Sequence, residues 1–275
     1  FMSADAPLFQ LTHKRDSWLD KPVLPFWPAF SIEKLIIIIL ILLTITSRFY
    51  DLGARVMSHD EVNHVVPAYD FYQGRGYRYD PVTHGPFQFH MIALSYFMFG
   101  DSDFSARIPA AVFGIAIVLF TIFAWRRYLG RIGALIGGAL FAISPYMLFY
   151  SRYTRNEIFI VFWGLILLWT ILRYLECGEK KYLIILTVIT ALHFTDKATS
   201  FIFTAEALIF LGLFFIWELI RKQWQQNSLK MIFLVLVVIA LIGGAVGLFT
   251  FMSHPETAEG ASETPVVHLI AGINV

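Results

Sequence analysis

Long blocks of apolar residues constrain this chain more than any other feature of its sequence. A helix needs about 20 apolar residues to cross a hydrocarbon core of about 30 Å. Charged residues make up only 15% of the 275 residues, against roughly 25% in soluble domains. The sequence therefore predicts an all-α, polytopic membrane protein with about seven transmembrane helices. The predicted spans lie near residues 33–50, 103–125, 132–150, 157–175, 181–195, 198–220 and 229–251.

A further apolar run, at residues 85–100, is short for a span, because a helix of this length measures about 24 Å. It opens with Gly85 and Pro86, and proline is common at the first position of a helix. We expect a juxtamembrane helix that lies on the outer membrane face and does not cross the bilayer.

The distribution of basic residues supports this topology. With residues 85–100 lying flat, 13 of the 21 Lys and Arg residues fall on the side of the N-terminus, and such an excess marks the cytoplasmic side. We expect a multi-pass protein of the cell membrane, with residues 1–31 as a cytoplasmic segment and residues 32–252 as the transmembrane domain. The first outer loop covers residues 51–102. Residues 253–275 are expected to form an outer loop or a truncated C-terminus.

The remaining composition argues against several classes of protein. A net charge of +1 without a basic stripe argues against a nucleic-acid partner. Cys177 is the only cysteine of the sequence, so neither an intrachain disulfide nor a cysteine-based metal site is expected. The sequence has no P-loop and no dinucleotide-binding glycine pattern, which argues against an enzyme that uses ATP or a nucleotide sugar.

Ionisable residues gather at the ends of the predicted spans, on the outer side. Such groups are costly at membrane depth, so they usually face a wet cavity or one another. We therefore expect them to meet at one functional site. They are Asp60 and Glu61 after the first span, Arg152, Arg155 and Glu157 before the fourth, and Asp196 and Lys197 between the fifth and sixth.

The stretch SHDEVNH, residues 58–64, allows two interpretations. On a helix, Asp60 and His64 would share one face, and a carboxylate beside an imidazole can act as a general base or bind a metal. Alternatively, the stretch is a solvated loop in which Asp60 caps a helix that begins at Glu61. Glu61 and His64 also form one Glu-x-x-His pair, whereas di-metal carboxylate bundles need two such pairs.

Arg152 and Arg155 lie three residues apart, so on a helix they would share a face. Guanidinium groups bind phosphate through two parallel hydrogen bonds. Together with Lys197, the two arginines would therefore suit an anionic lipid headgroup. The alternative is that both side chains extend toward the outer lipid headgroups without a specific partner.

Three stretches of the chain resemble the C-type glycosyltransferases, which are polytopic enzymes that take sugars from polyprenyl-phosphate carriers. They are the acidic pair after the first span, YDPVTHGPFQFHMIALSYFMFGDSDFSARIPAAVFG (79–114) and WRRYLGRIGALIGGALFAISPYMLFYSRYTRNE (125–157). Within that group the chain resembles the protein O-mannosyltransferase-like branch, glycosyltransferase family 39, and in particular its flippase-activity-associated bacterial and archaeal members. The resemblance covers roughly residues 33–220.

The resemblance implies a set of catalytic residues. Asp60 matches the first acidic residue of the family's DE motif, which is the catalytic carboxylate, and Glu61 matches the second. Glu157 matches the acidic site at the start of the fourth span, where many relatives carry aspartate. Asp60 would then act as the general base that takes a proton from the acceptor hydroxyl.

The resemblance also implies substrate-binding residues and partners. His84 falls where relatives carry residues that meet the donor phosphate, and Lys197, Arg152 and Arg155 would hold the lipid phosphate. The implied function is transfer of a sugar from a polyprenyl-phosphate donor to an acceptor on the outer face. Membrane lipids are further partners. No cofactor is required by the sequence, and a divalent metal stays an open alternative because some relatives use one.

Two other functions stay open. Relatives generally continue with further spans, whereas this chain stops at HLIAGINV. The alternative is therefore a non-catalytic transmembrane subunit, built on a truncated glycosyltransferase scaffold within a larger membrane complex. A transporter or flippase would need repeated halves with broken helices, and no internal repeat is visible. The enzyme hypothesis requires Asp60, Glu157 and Lys197 to converge at one hydrated pocket beside the outer leaflet.

Overall fold

A computed structural model describes residues 17–24, 26–76, 85–222 and 227–253 of the chain. The all-α prediction is confirmed, with one short hairpin near the N-terminus. After a 3-10 turn at Trp18–Asp20, the strands β1 (Pro22–Leu24) and β2 (Trp27–Ser31) pair in antiparallel fashion. The helices are α1 (Ile32–Phe49), α2 (His59–Tyr72), α3 (Pro86–Phe99), α4 (Asp103–Phe123), α5 (Arg126–Ile143), α6 (Pro145–Tyr150), α7 (Glu157–Cys177), α8 (Lys180–Phe194), α9 (Ser200–Arg221) and α10 (Asn227–Ser253).

Four of the described helices, α4, α7, α9 and the first 18 residues of α10, are long and apolar enough to cross a membrane. The other three predicted spans also form helices, but each falls short for a physical reason. Helix α1 carries three charged residues within 18, and α5 is divided by a kink at Gly130, which has a φ of +69°. The 15 residues of α8 measure only about 22 Å. The count of seven spans therefore stays a prediction.

Helix α3 begins and ends where the sequence indicates. Gly85 is its N-cap and Pro86 occupies the first turn, while Gly100 follows the last residue with a φ of +79°. A left-handed residue after a helix is commonly glycine, because glycine has no Cβ to clash. The 14 residues of α3 span about 21 Å. This length agrees with a helix that does not cross the bilayer.

The chain divides within α9 into two compact units, residues 1–209 and 210–275. In the first unit α4 is the central helix, because it packs against α1, α3, α5 and α7. Small residues allow these helices to approach closely. A Cβ added at Gly114 would overlap the Ser151 side chain, and one added at Gly138 would overlap Ile122. In the second unit, the exposed apolar side chains of α10 match the composition of a membrane span.

Four aromatic rings join α3, α4 and α7 in the first unit. Phe87, Phe113, Phe159 and Trp163 meet edge to face, with ring centroids 4.7 to 5.8 Å apart. This arrangement places the positive edge of one ring against the negative face of the next. The aromatic contacts therefore fix the N-terminal turn of α3 against two of the helices that are long enough to span the membrane.

Two arginines tie together the ends of neighbouring helices. Arg48 of α1 donates to the carbonyls of Ala142 (2.6 Å) and Phe141 (2.9 Å) at the end of α5. Arg152, in the turn after α6, donates to the carbonyl of Tyr50 (2.7 Å) at the end of α1. The last carbonyls of a helix lack partners within the helix and carry partial negative charge. Each arginine therefore caps the C-terminus of a different helix.

The N-terminus of α3 is bound to the loop between α8 and α9. The backbone N–H of Gly85 donates to the Asp196 carbonyl (3.0 Å), and that of Phe87 donates to the Thr195 carbonyl (3.0 Å). There is no room for a side chain at Gly85, because an added Cβ would overlap the Thr195 carbonyl. Close backbone contact therefore fixes the position of the loop that carries Lys197.

This contact predicts that Gly85→Ala destabilises the protein. The obstacle is backbone, which cannot move as a flexible side chain would, so we expect a loss of roughly 1–3 kcal/mol. The thermal unfolding midpoint of the purified protein in detergent micelles should fall. Gly212→Ala is the control, because a Cβ added there meets no atom within 4 Å among the described residues beyond the backbone of its own helix turn. An unchanged midpoint for Gly85→Ala would contradict the proposed packing.

Candidate active site

The stretch SHDEVNH opens helix α2, and Ser58 is its N-cap. The Ser58 hydroxyl accepts from the backbone N–H of Glu61 (3.4 Å), and the Glu61 carboxylate accepts from the backbone N–H of Ser58 (3.1 Å). This is a capping box, which satisfies two donors at the helix start. The interpretation in which Asp60 caps a helix starting at Glu61 is therefore wrong. Asp60 lies in the first turn, with its side chain 52% exposed.

Glu61 is fully enclosed, with 0% of its side chain exposed. Its two oxygens accept from Arg107 at 2.8 and 3.0 Å, in a bidentate pair. It also accepts from the Thr154 backbone N–H (3.1 Å) and from the Arg55 guanidinium (3.1 Å). Arg107 itself is 1% exposed and donates to the Leu52 carbonyl (3.0 Å). Glu61 therefore joins α2, α4, the loop after α1 and the turn before α7.

Opposing effects act on the pKa of Glu61. Burial raises it, whereas the hydrogen bonds from Arg107 and from the backbone N–H groups of Ser58 and Thr154 lower it by more. The net pKa therefore lies below the ordinary value of 4.5. Glu61 is held as a carboxylate that is enclosed by donors. Such a group is suited to fixing its neighbours in place.

The structure brings Asp60, Glu157 and Lys197 together through Arg155. The Arg155 guanidinium lies 3.0 Å from a carboxylate oxygen of Asp60 and 3.4 Å from one of Glu157. The other Glu157 oxygen accepts from the Lys197 ammonium at 2.8 Å. We call this row of four residues the ion-pair chain. It is most exposed at Asp60 and least exposed at Glu157 and Lys197.

Arg152 lies apart from the ion-pair chain. The prediction that Arg152 and Arg155 share a helix face is wrong, because residues 151–156 form turns between α6 and α7. Arg152 donates to the carbonyls of Ser47 (3.0 Å), Tyr50 (2.7 Å) and Asp51 (3.3 Å). Two residues, Tyr153 and Thr154, separate the two arginines, and the turn directs the arginines to different partners.

Arg152 helps to line a cleft of about 400 Å³, which we call the arginine cleft. The basic residues of its lining are Arg55, Arg107 and Arg152, and its acidic residue is Asp51. The other lining residues are Leu52, Pro145, Leu148 and Phe149. The arginine cleft therefore combines positive charge with apolar walls.

Asp196 is fully buried beside the ion-pair chain. Its Oδ1 and its backbone carbonyl both accept from the Asn156 amide, at 2.8 and 3.1 Å. Its Oδ2 has no hydrogen-bond partner among the residues that the structure describes. Burial raises the pKa of Asp196 to about 8, and the bond from Asn156 lowers it only in part. A neutral carboxyl group is less costly to bury than a charged one. Asp196 can therefore stay inside the loop that places Lys197 beside Glu157.

Sequence reasoning missed Arg107, Asn156 and Arg55 as members of this region. A signal existed for Arg107, because it stands inside the apolar run DFSARIPAAVFG, where an arginine is costly without a partner. No local pattern marks Asn156, whose partner Asp196 lies 40 residues away. His84, predicted to meet the donor phosphate, lies outside the described residues.

The described residues do not fit a divalent metal. They contain no group of three or more His, Cys, Asp and Glu side chains that could hold one. The carboxylates of Asp60 and Glu157 are also engaged by Arg155 and Lys197. Carboxylates with cationic partners are poor candidates for metal ligands, so the site is best described through its ion pairs.

A family model described as dolichyl-phosphate-mannose-protein mannosyltransferase matches residues 83–245. The match covers more than half of the chain and contains Arg107, Arg155, Glu157 and Lys197, while Asp60 lies before it. No curated protein and no solved structure matches the chain.

The buried pair of Glu61 and Arg107 can be tested by measuring how the stability of the fold depends on pH in the acidic range. Because the folded state lowers its pKa, the pair's stabilisation is complete above the ordinary value of 4.5 and is lost as the pH falls through the folded value. Glu61→Gln leaves Arg107 buried without its counter-charge, which costs about 3–5 kcal/mol. We expect a lower unfolding midpoint near neutral pH and a weaker dependence on acid. The exposed pair Asp70–Arg75 gives the control, since Asp70→Asn should change little.

The raised pKa of Asp196 predicts that the stability of the fold also depends on pH in a second, higher range. Because the folded state raises its pKa, stability falls as the pH rises from the ordinary value of 3.8 to about 8, and then levels off. Asp196→Asn keeps the acceptor for Asn156 and cannot ionise, so the unfolding midpoint should lose this part of its pH dependence. Asp196→Ala, which removes the acceptor, should lower the midpoint at every pH. An asparagine variant with the wild-type dependence would show that Asp196 is charged in the fold.

Proposed function

Since the chain belongs to the dolichyl-phosphate-mannose-protein mannosyltransferase family, we propose that it transfers a sugar from a polyprenyl-phosphate donor to an acceptor at the outer membrane face. The observation that carries this proposal is the ion-pair chain, which joins three distant parts of the sequence. A donor whose lipid tail lies in the bilayer requires catalytic groups at the ends of membrane helices. Glu157 begins α7 and Lys197 lies in the loop before α9, as such a donor would require.

Asp60 is the proposed general base. Its half-exposed carboxylate stands at the accessible end of the ion-pair chain, where an acceptor hydroxyl can approach. It would take the hydroxyl proton while the acceptor oxygen attacks the anomeric carbon of the sugar. The bond from that carbon to the phosphate oxygen breaks, and the polyprenyl phosphate leaves with the electron pair. Attack from the side opposite the phosphate inverts the anomeric configuration.

Arg155 and Lys197 are the proposed phosphate contacts at this centre. In the structure each is paired with a carboxylate, so the chain of four is close to electrically neutral. A donor phosphate that binds Arg155 would compete with Asp60 for it and would leave the Asp60 carboxylate free to accept a proton. Cations already in place where negative charge develops are effective in catalysis. Glu157, predicted as a catalytic residue, would keep Arg155 and Lys197 oriented as a positioning residue that contacts both.

Glu61 is predicted as a catalytic residue, but because it is buried we propose a different role for it. It has no exposed surface with which to touch a substrate, so we assign it the role of positioning Asp60 through the first turn of α2. Arg152 and His84 stay proposed contacts of the donor. Arg152 lies in the arginine cleft, and His84 lies outside the described residues.

The proposed topology follows the basic residues of the sequence. Residues 1–31 would lie in the cytoplasm, residues 32–252 would form the transmembrane domain of a cell-membrane protein, and the ion-pair chain would face outside. The ion pairs of Arg131 with Asp20 and Glu33, at 2.7 and 2.6 Å, fit the cytoplasmic side. They join the segment before α1 and the first turn of α1 to α5, near whose start the basic residues gather.

The transfer assay uses membranes that contain the chain and a radiolabelled polyprenyl-phosphate mannose. Asp60→Asn should lower the turnover at least about 100-fold, because a general base contributes roughly 10²- to 10⁴-fold. The unfolding midpoint should barely change, since an exposed ion pair contributes at most about 1 kcal/mol. Glu157→Gln should also lower turnover, through loss of the pairing with Lys197.

Asp70→Asn is the matched control, because Asp70 lies on the same helix in an exposed ion pair with Arg75. Wild-type transfer together with an unaffected Asp60→Asn variant would overturn the proposed base. If the chain works only within a larger complex, and that complex functions normally with Asp60→Asn, the alternative of a non-catalytic subunit would be favoured.

A further inference from the structure

Asn156 and Asp196 form a buried hydrogen-bonded pair beside the ion-pair chain. Asn156 lies between Arg155 and Glu157 in the sequence, and Asp196 directly precedes Lys197. The two residues are 1% and 0% exposed, so neither can touch a substrate. The proposed transfer step does not use them. The pair nevertheless joins the two segments whose side chains form the bond between Glu157 and Lys197.

Asn156 occupies the N-cap position of α7, yet its side chain does not cap that helix. Asparagine is favoured at N-caps because its side-chain oxygen can accept from an N–H group in the first turn. Here the amide group instead donates to Asp196, at 2.8 Å to Oδ1 and 3.1 Å to the backbone carbonyl. The Asn156 side-chain oxygen has no hydrogen-bond partner among the residues that the structure describes. Asn156 therefore forgoes a local cap and contacts a loop 40 residues away.

The two bonds from Asn156 fix both the position and the orientation of Asp196. One reaches the side chain and the other reaches the backbone, so the loop cannot turn at this point without breaking one of them. The Asp196 carbonyl also accepts from the backbone N–H of Gly85 (3.0 Å). On the other side of Lys197, its own carbonyl accepts from the backbone N–H of Ser200 (3.1 Å). The backbone of Lys197 is therefore held from both directions.

The side chain of Lys197 depends on this support, because Glu157 is its one ion-pair partner among the described residues. The Lys197 ammonium donates to Glu157 at 2.8 Å, and both side chains are 16% exposed. Lysine has a flexible four-carbon stem, so its ammonium can be placed accurately only if its backbone is fixed. The anchor at Asp196 is therefore the contact that determines where the ammonium reaches.

We propose that Asn156 and Asp196 are positioning residues for Lys197, and that their hydrogen bonds hold the Lys197 ammonium against the Glu157 carboxylate. This placement can be tested without any substrate. Its effect on sugar transfer rests on the proposed function, in which Lys197 contacts the phosphate. The acceptor atom that carries the side-chain contact is Asp196 Oδ1, which an asparagine at that position would keep.

The first test measures methylation of Lys197 by formaldehyde and a reductant, read by mass spectrometry on the purified full chain in detergent micelles. Asn156→Leu has nearly the size of asparagine and no donor. Lys197 should then react at least about 10-fold faster, as expected when a hydrogen bond to a charged group is lost. Asp196→Leu should act in the same direction but more weakly, because the backbone carbonyl of residue 196 stays available to Asn156. Asp196→Asn should keep the wild-type rate.

A double variant tests whether the two residues act together. Asn156→Leu combined with Asp196→Leu should methylate as fast as Asn156→Leu alone, because residues that share one contact do not have additive effects. Additive rates would overturn the proposal. Asn63→Leu is the matched control, since Asn63 is an exposed asparagine on α2.

Unfolding midpoints are measured for every variant. If Asn156→Leu does not fold, Asn156→Ser decides the question, because serine is too short to reach Asp196 and is itself a favoured N-cap residue. A merely structural role at the start of α7 would leave Asn156→Ser close to the wild type in both stability and methylation. Wild-type methylation of Lys197 in a folded Asn156 variant would overturn the proposal.

The second test uses the transfer assay. Negative charge on the phosphate grows as its bond to the sugar breaks, so a displaced Lys197 should lower kcat more than it raises KM. We expect kcat to fall roughly 10- to 100-fold in Asn156→Leu, because a shift of about 1 Å can cost about 100-fold. Faster methylation with unchanged kcat would support the positioning residues and remove Lys197 from the proposed reaction. If the wild type transfers no sugar, the proposed function fails, while the methylation result stands by itself.

Discussion

The buried ion pair between Glu61 and Arg107 is the interaction on which the arrangement of the site depends. It connects the first turn of α2 to α4, and through the Thr154 backbone it reaches the turn before α7. Burying two charges is costly, and the cost is recovered only when geometry is good and the remaining hydrogen-bonding groups find partners. Here four residues donate five hydrogen bonds to the carboxylate. Such a group tolerates little displacement, so it sets where Asp60 and Arg155 can be.

Around this fixed pair, the other charges differ in how easily they can be rearranged. Arg155 is shared between Asp60 and Glu157, and its contact with Glu157 is the longer one, at 3.4 Å. The pair of Arg155 with Asp60 is the more exposed of the two. Exposed pairs contribute little to stability, so Arg155 can leave Asp60 when an anionic ligand arrives. The rigid pair and the exchangeable pairs are adjacent along α2, at residues 61 and 60. A site of this design can hold its geometry while its charges respond to a substrate.

The sequence predicted much of this structure and missed the contacts between distant residues. Helices formed where apolar runs indicated them, because lipid and protein interiors both select apolar surfaces. Pro145 interrupts the expected span at residues 132–150, so α6 is separate and the chain turns before Glu157. Because of that turn, the side chains of Arg152 and Arg155 contact different partners. The partnership of Glu61 with Arg107 spans 46 residues, and no local periodicity encodes a pairing of that range.

The capping of the C-termini of α5 and α1 by Arg48 and Arg152 has a mechanical consequence. Arg48 reaches from α1 to the end of α5, while Arg152 reaches back from the segment after α6 to the end of α1. The hydrogen bonds at these helix ends measure 2.6 to 2.9 Å. A full helical turn is about 5.4 Å long, so sliding either helix along its axis by only a fraction of a turn would break them. Piston-like motion of α1 against α5 is therefore suppressed. The distance of the arginine cleft from the ends of α1 and α5 is accordingly a fixed dimension of this protein.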